Sequence, residues 1–339
     1  MCARAAASRS SRWLLLGLLA ASVLLLALGV CVGSTGLESL LQLHSDAVAR
    51  QIVLDIRLPR TLGAWLAGAL LALAGAVAQG LFRNPLADPY LLGSASGAAL
   101  GSALAMVLAG TSLMGMAWLQ HVGMTGMAFV GAGLAVLLTI SLAQGVQNNL
   151  RLLLAGVVVG VVLGALRDML ELSYPDILQA MKSFGLGSTA FVNATACWLM
   201  ATVWGACMLV ALLLAKVLDG LTLGEATATS LGLPLAPMRL GLIAVIALAT
   251  GTAVAQTGLI AFVGLAAPHL VRSICRVGHA KGVVLSTLMG GVLLLAADIL
   301  ARWVIAPQEL PVGILTALVG GSYLLWLMHR RKQLTAQGR

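Results

Sequence analysis

Arg57-Leu58-Pro59-Arg60 opens an apolar run that ends at Arg83-Asn84-Pro85-Leu86-Ala87-Asp88-Pro89, with Gly93-Ser94-Ala95-Ser96-Gly97 close behind. Residues 61–82, between the two polar ends, carry no charge. About 20 apolar residues are what a helix needs to cross the hydrocarbon core of a bilayer. Asparagine and the two prolines then break the chain into a turn. The stretch reads as one membrane-crossing helix with a basic start and a broken polar exit. Which side of the membrane each end faces largely decides the function.

The rest of the chain agrees with that reading. Of its residues, 60% are hydrophobic and 9% charged, and its mean hydropathy is +1.02. A soluble domain of this composition would expose far more apolar surface than soluble monomers carry. Backbone groups in lipid must be satisfied internally, which leaves helices or a closed barrel. Runs rich in Leu, Ala and Gly, without strict alternation, select helices. The expected fold is therefore an all-α polytopic membrane protein. The net charge of +9 is spread in short clusters between apolar runs. No basic face of any extent results, so nucleic acid is not an expected partner. Cys2, Cys31, Cys197, Cys207 and Cys275 have neither metal nor redox spacing,. Arg4, Arg9 and Arg12 precede an apolar stretch at about 13–33. It exceeds the ~7–15 residue core of a signal peptide, and it is read as a retained first helix.

Ten spans are expected, at about 13–33, 61–81, 91–110, 122–143, 152–172, 191–215, 240–257, 259–275, 283–301 and 311–328. The division between the seventh and eighth rests on Gln256-Thr257-Gly258 alone, and one long kinked helix is the alternative. With the N-terminus inside, the inner segments hold 14 of the 20 basic residues and three acids, Asp88, Asp219 and Glu225. The outer segments hold six basic and eight acidic residues. This is the asymmetry of the positive-inside rule, and an even span count returns the basic C-terminus to the side of the basic N-terminus.

The longest hydrophilic connections fall at about 34–60 and 173–190 outside and 216–239 inside. No P-loop of the form GxxxxGK[ST] is present in the sequence, so the energy source is an ion gradient or a partner,. In the inner connection, Glu225 through Leu231 has helical propensity, Gly232 can close it and Pro234 stops it,. Taken alone, this is either an ordinary interfacial loop helix or a knob that docks into a partner ATPase.

Glu225-Ala226-(x)5-Gly232 resembles the cytoplasmic coupling motif of ABC importer permeases. Arg57-Leu-Pro-Arg60, Asn84-Pro-Leu-Ala87-x-Pro89, Leu92-Gly93-x-x-x-Gly97 and Arg151-Leu-Leu-Leu-Ala155-Gly156 resemble one branch of them. So do Phe262-Val-Gly264-Leu-x-x-Pro268-His269, Ala297-Asp298-x-x-Ala301-Arg302 and Glu309-Leu-Pro311-x-Gly313. That branch is the FecCD-type permease family of iron-siderophore, haem and vitamin B12 importers. The match covers about residues 45–330. One departure lies at Phe184, where the family often has a tryptophan three residues before Gly187-Ser188.

The resemblance implies a type II ABC importer permease fold: a single transmembrane domain over 1–339 with a coupling loop at about 216–239. It also implies a bacterial inner-membrane homodimer with both termini cytoplasmic. Two cytoplasmic ATPase subunits that bind ATP and Mg drive it, and a periplasmic binding protein delivers the cargo. The permease itself then makes no bonds and holds no cofactor or metal. Gly224, Glu225, Ala226 and Gly232 become the ATPase coupling element. Arg57, Arg60 and Arg302, all on the outer face by span counting, become the docking points for acidic side chains of the binding protein,. On charge and position alone they could equally be anchors that snorkel at helix ends. Gly156, Gly160 and Gly164 recur every fourth residue and make a groove for close helix approach,. The family places their helix beside the central pathway, and it places Asn148 and Asn149 in the loop that narrows the cytoplasmic exit.

The remaining charges read more simply. Arg167 and Asp168 form a local ion pair near the outer interface, Asp298 orients Arg302 at i,i+4, and His269 is a satisfied structural residue,. A gradient-driven secondary transporter would need ionisable residues at mid-membrane, and an intramembrane enzyme would need a nucleophile–base or metal set inside the spans. Neither pattern is visible. An iron chelate, ferric siderophore or haem, is the expected cargo, and cobalamin is the alternative.

Overall fold

A computed structural model of the chain describes residues 2–33, 36–37, 47–110, 117–230, 232 and 234–336. Its helices, in chain order, are α1 (Cys2–Cys31), α2 (Ala47–Ile52), α3 (Leu58–Leu81), α4 (Ser94–Gly110), α5 (Ala117–Leu142), α6 (Asn149–Ser173) and α7 (Leu178–Leu186). They continue with α8 (Ala194–Leu213), α9 (Ala215–Thr222), α10 (Glu225–Ser230), α11 (Leu235–Thr257), α12 (Val263–Ile274), α13 (His279–Trp303) and α14 (Val312–Ala336). A short antiparallel pair, Val32–Gly33 with Gly36–Leu37, follows α1. Helices α1, α3, α4, α5, α6, α8, α11, α12, α13 and α14 coincide with the ten expected spans. Among the described residues, seven helical stretches are long and apolar enough to cross a membrane; Ser94–Gly110 and Val312–Trp326 are shorter apolar helices.

Helix α3 is the axis of the bundle. Its spanning window is 83% buried, against 22% for α6 and 28% for α5 and α8. The sequence of α3 is apolar or small on every face, and such a helix buries itself all round. Lipid offers no hydrophobic drive for helix association, so close van der Waals packing at small residues carries it. A methyl added at Gly75 would lie 1.8 Å from the Gly264 carbonyl oxygen of α12. One added at Gly68 would lie 2.3 Å from the Gly290 carbonyl oxygen of α13. Helix α1 joins this core through Leu18 and through Ser22, whose hydroxyl accepts a 3.1 Å bond from the Trp65 indole. By contrast, α6 leaves Val157, Val158, Val161 and Val162 exposed, an apolar surface for lipid or another chain.

The weakest expected boundary is a real one. Helix α11 stops at Thr257, Gly258 takes φ +68°, Phe262 takes φ +69°, and α12 starts at Val263. Two helices result, not one kinked helix. Backbone bonds stitch the break to the α7–α8 connection: Leu259 N–H donates to the Phe184 carbonyl at 3.0 Å and Ser188 N–H to the Thr257 carbonyl at 2.8 Å. Phe184 thus contributes its backbone to the stitch.

The broken exit after α3 is also ordered. The Asn84 side chain accepts from Leu86 N–H at 3.0 Å, and that of Asp88 accepts from Tyr90 N–H at 2.8 Å, capping a 3-10 turn over Pro89–Leu92. Gly93 then turns at φ +78° into α4. Burial pushes the Asp88 carboxyl up from its ordinary value, and the Tyr90 amide pulls it partly back,.

Candidate functional site

Two polar clusters sit at opposite ends of the bundle. The first forms where α3 starts and the antiparallel α13 ends. A π-helical turn over Val53–Arg57 joins α2 to α3 in one helical stretch, and Pro59, which has no N–H for the ladder, follows that wide turn directly,. Asp298 of α13 is fully buried and accepts from Arg60 Nη2 at 3.3 Å. It is also bonded by Arg302 Nη2 and by the Thr189 hydroxyl. Arg60 Nη1 reaches Glu309 at 2.7 Å, and Arg302 Nη1 donates to the Gly29 carbonyl at 2.9 Å. Two guanidinium groups and two carboxylates balance one another in this cluster.

Arg57, Arg60 and Arg302 do not project from the surface of the chain; they are 7%, 9% and 1% exposed. A buried charge needs a partner, and for Arg60 and Arg302 the chain supplies Asp298 and Glu309. The pairing of Asp298 with Arg302 at i,i+4 is as expected. Its sharing with Arg60, 238 residues away, is not visible in the sequence. The Glu309 side chain keeps 28% of its surface exposed, which makes it the accessible edge of the cluster.

The second cluster gathers the connections at the other end. Helix α10 begins at Glu225 after Gly224 at φ +102°, and Gly232 follows it at φ +77°, its N–H donating to the Thr229 carbonyl at 2.9 Å. The expected short helix is therefore present, with Ala226 in its first turn and Leu231 outside the described residues. An amphipathic α9, unforeseen in the sequence, precedes it and buries Val217, Leu218 and Leu221. From α9, Asp219 reaches the N-terminus of α13, accepting from His279 N–H at 3.1 Å and meeting its Nδ1 at 2.6 Å. Glu225 Oε1 accepts from Arg239 Nη2 at 2.6 Å and lies 4.0 Å from Arg83. A recess of about 320 Å³ opens at this end, bounded by Gln79, Arg83, Thr222, Arg272 and His279.

Asn148 and Asn149 stand at the same end. Asn148 caps α6, its side chain accepting from Leu150 and Arg151 N–H, both at 3.1 Å. The cap satisfies amides that a helix start leaves unpaired. Asn149 Nδ2 donates to the Leu81 carbonyl at 3.3 Å, tying α6 to the end of α3. The expected glycine groove on α6 is narrower than its periodicity implied. A methyl at Gly156 would lie 2.0 Å from the Leu91 carbonyl oxygen, one at Gly160 would lie 3.6 Å from the Ser96 hydroxyl, and one at Gly164 would meet nothing within 4 Å. Close approach is confined to Gly156, because the Pro89–Leu92 turn reaches only that far along α6.

Arg167 pairs with its neighbours Asp168 and Glu171, and His269 Nδ1 lies 2.9 Å from the Tyr323 hydroxyl. Among the described residues, no group of three or more His, Cys, Asp or Glu could hold a metal ion.

The model of the FecCD transport family matches residues 16–330. The haemin transport system permease protein HmuU of Yersinia pestis is 38% identical over 94% of this chain and 96% of its own length. The ferric enterobactin transport system permease protein FepD of Escherichia coli is 37% identical, covering 93% and 94%. The vitamin B12 import system permease protein BtuC of Salmonella paratyphi A is 36% identical, covering 96% and 97%. Among solved structures, an inward-facing ABC transporter assigned to the metal-chelate type superposes with a TM-score of 0.83 at 29% identity, over 93% of this chain and 98% of that one. PsaBC from Streptococcus pneumoniae superposes at 0.55 and 19% identity, a likeness of fold alone.

Proposed function

Because the chain belongs to the FecCD transport family of ABC importer permeases, we propose that it is the membrane subunit of an importer that carries an iron chelate, ferric siderophore or haem, from periplasm to cytoplasm. The observation that carries this reading is the near-equal similarity, over more than nine-tenths of the chain, to permeases named for haemin and for ferric enterobactin. The 36% identity to the vitamin B12 permease keeps cobalamin as the second reading. Uptake by a deletion strain complemented with this chain separates them. Accumulation of labelled haem or ferric siderophore is the expected result; accumulation of cobalamin alone would move the assignment to the second reading.

Under this reading the chain is one transmembrane domain of the inner membrane with both termini cytoplasmic, which the charge asymmetry between its two faces supports,. It works as a homodimer, and the exposed apolar surface of α6 is available for the second copy. Two cytoplasmic ATPase subunits bind ATP and Mg and drive it. They engage Gly224, Glu225, Ala226 and Gly232, at the same end as the recess that Arg83, Thr222 and His279 line. The loop ending in Asn148 and Asn149, with Gly156, Gly160 and Gly164 behind it, borders the cytoplasmic exit. At the outer end a periplasmic binding protein docks at Arg57 and Arg60, with Arg302 held behind them. An acidic side chain of that protein takes the place of Glu309 on Arg60, while Asp298 stays buried.

A further inference from the structure

Resting on the importer reading above, we propose that Arg239 is a positioning residue that transmits movement of the ATPase-facing knob to the loop in front of α6. Its side chain is buried, with the residue 2% exposed. One arm of the guanidinium donates to Glu225 Oε1 at 2.6 Å, in the first turn of α10. The other donates to the Gln147 carbonyl at 2.7 Å and the Val146 carbonyl at 3.4 Å. The Nε of Arg239 has no acceptor among the described residues. The fork is thus committed entirely at its two ends.

Those ends belong to segments that are far apart in sequence and serve different tasks. Glu225 lies in the knob. Val146 and Gln147 lie immediately before Asn148, which caps α6, and Asn149, which is tied to the end of α3. Arg239 itself sits in the first turns of α11, a helix packed on α3. The planar fork of arginine suits this arrangement, because it offers donors in two fixed directions; an ammonium is a point charge without that geometry. Bonds to a charged donor are short and strong, and a buried guanidinium that loses its carboxylate is left uncompensated. The knob, the start of α11 and the pre-α6 loop therefore move together. A thrust on α10 is delivered to the residues that border the exit.

The test uses the assembled transporter with its ATPase and binding protein. Spin labels are placed at the exposed Gln144 and Thr229 in a background whose native cysteines are replaced. The native chain is expected to give a narrow intra-subunit distance, told apart from the inter-subunit distances that each single label gives alone, and Arg239→Gln a broadened one. In Arg239→Gln, cargo moved per ATP hydrolysed is expected to fall about tenfold, as coupling between two sites is lost, while ATPase retention and hydrolysis stay within about twofold of native. Arg239→Lys keeps the charge but not the fork, and is expected to recover less than half of the lost coupling. Unchanged label distances, unchanged cargo per ATP, full recovery by lysine, or loss of the ATPase from the complex would each overturn the proposal. If Arg239→Gln fails to fold, Glu225→Gln cuts the exposed arm alone; a broadened distance between the labels with the ATPase still bound supports the strut, and a native distance overturns it. Failure of the importer reading looks different, because the native chain would then show no ATP-dependent uptake at all.

Discussion

At Arg60 two carboxylates of the chain share one guanidinium, and they differ in access: Asp298 is sealed in, and Glu309 is partly open. Replacing Arg57 with glutamate and Arg60 with glutamine removes the outer positive charge without crowding a third carboxylate against Asp298. Truncating one partner of a close charge pair across an interface costs about 2–5 kcal/mol. The affinity of the binding protein for the assembled transporter is therefore expected to fall about 30-fold or more, with the ATPase still attached. Undiminished affinity, measured by titration of labelled binding protein, would remove these arginines from docking. Residue by residue, legibility followed sequence distance. Asp298 with Arg302 and Arg167 with Asp168 are local pairs and could be read from spacing. Arg60 with Asp298 and Arg239 with Gln147 join segments 238 and 92 residues apart, and no periodicity encodes them. The burial of Arg60 and Arg302 is not legible in the sequence, because it depends on which carboxylates the fold returns to them.

The helices were legible because length and hydropathy are local quantities, and lipid leaves the backbone few alternatives. Even the break after α11 was signalled, by the one glycine able to take φ +68° without strain,. What periodicity overstated was contact. Three glycines at every fourth position of α6 look equivalent, yet only Gly156 meets backbone. Gly156→Ala is accordingly expected to force the Pro89–Leu92 turn away from α6, at about 1–3 kcal/mol for overpacking, seen as a lowered melting temperature in detergent. Gly164→Ala is expected to leave that temperature unchanged. Equal effects of the two substitutions would contradict the packing described. Helix α9 is not legible in the sequence for a related reason: eight residues carry too little pattern to separate a surface helix from a loop,.

Across the whole molecule, polar chemistry is concentrated at the two ends, and small residues hold the spans together around α3. An ion-coupled carrier needs titratable groups along its path; among the described residues the buried ion pairs lie around Asp298 at one end and around Arg239 at the other. That division suits a device moved from outside the membrane by a partner that hydrolyses ATP. The most direct test is accumulation of a labelled iron chelate in proteoliposomes that hold the chain with its ATPase and binding protein, energised first by ATP and then by an imposed proton gradient. Accumulation with ATP and none with the gradient is the expected result. Accumulation on the gradient in the absence of ATP would contradict it.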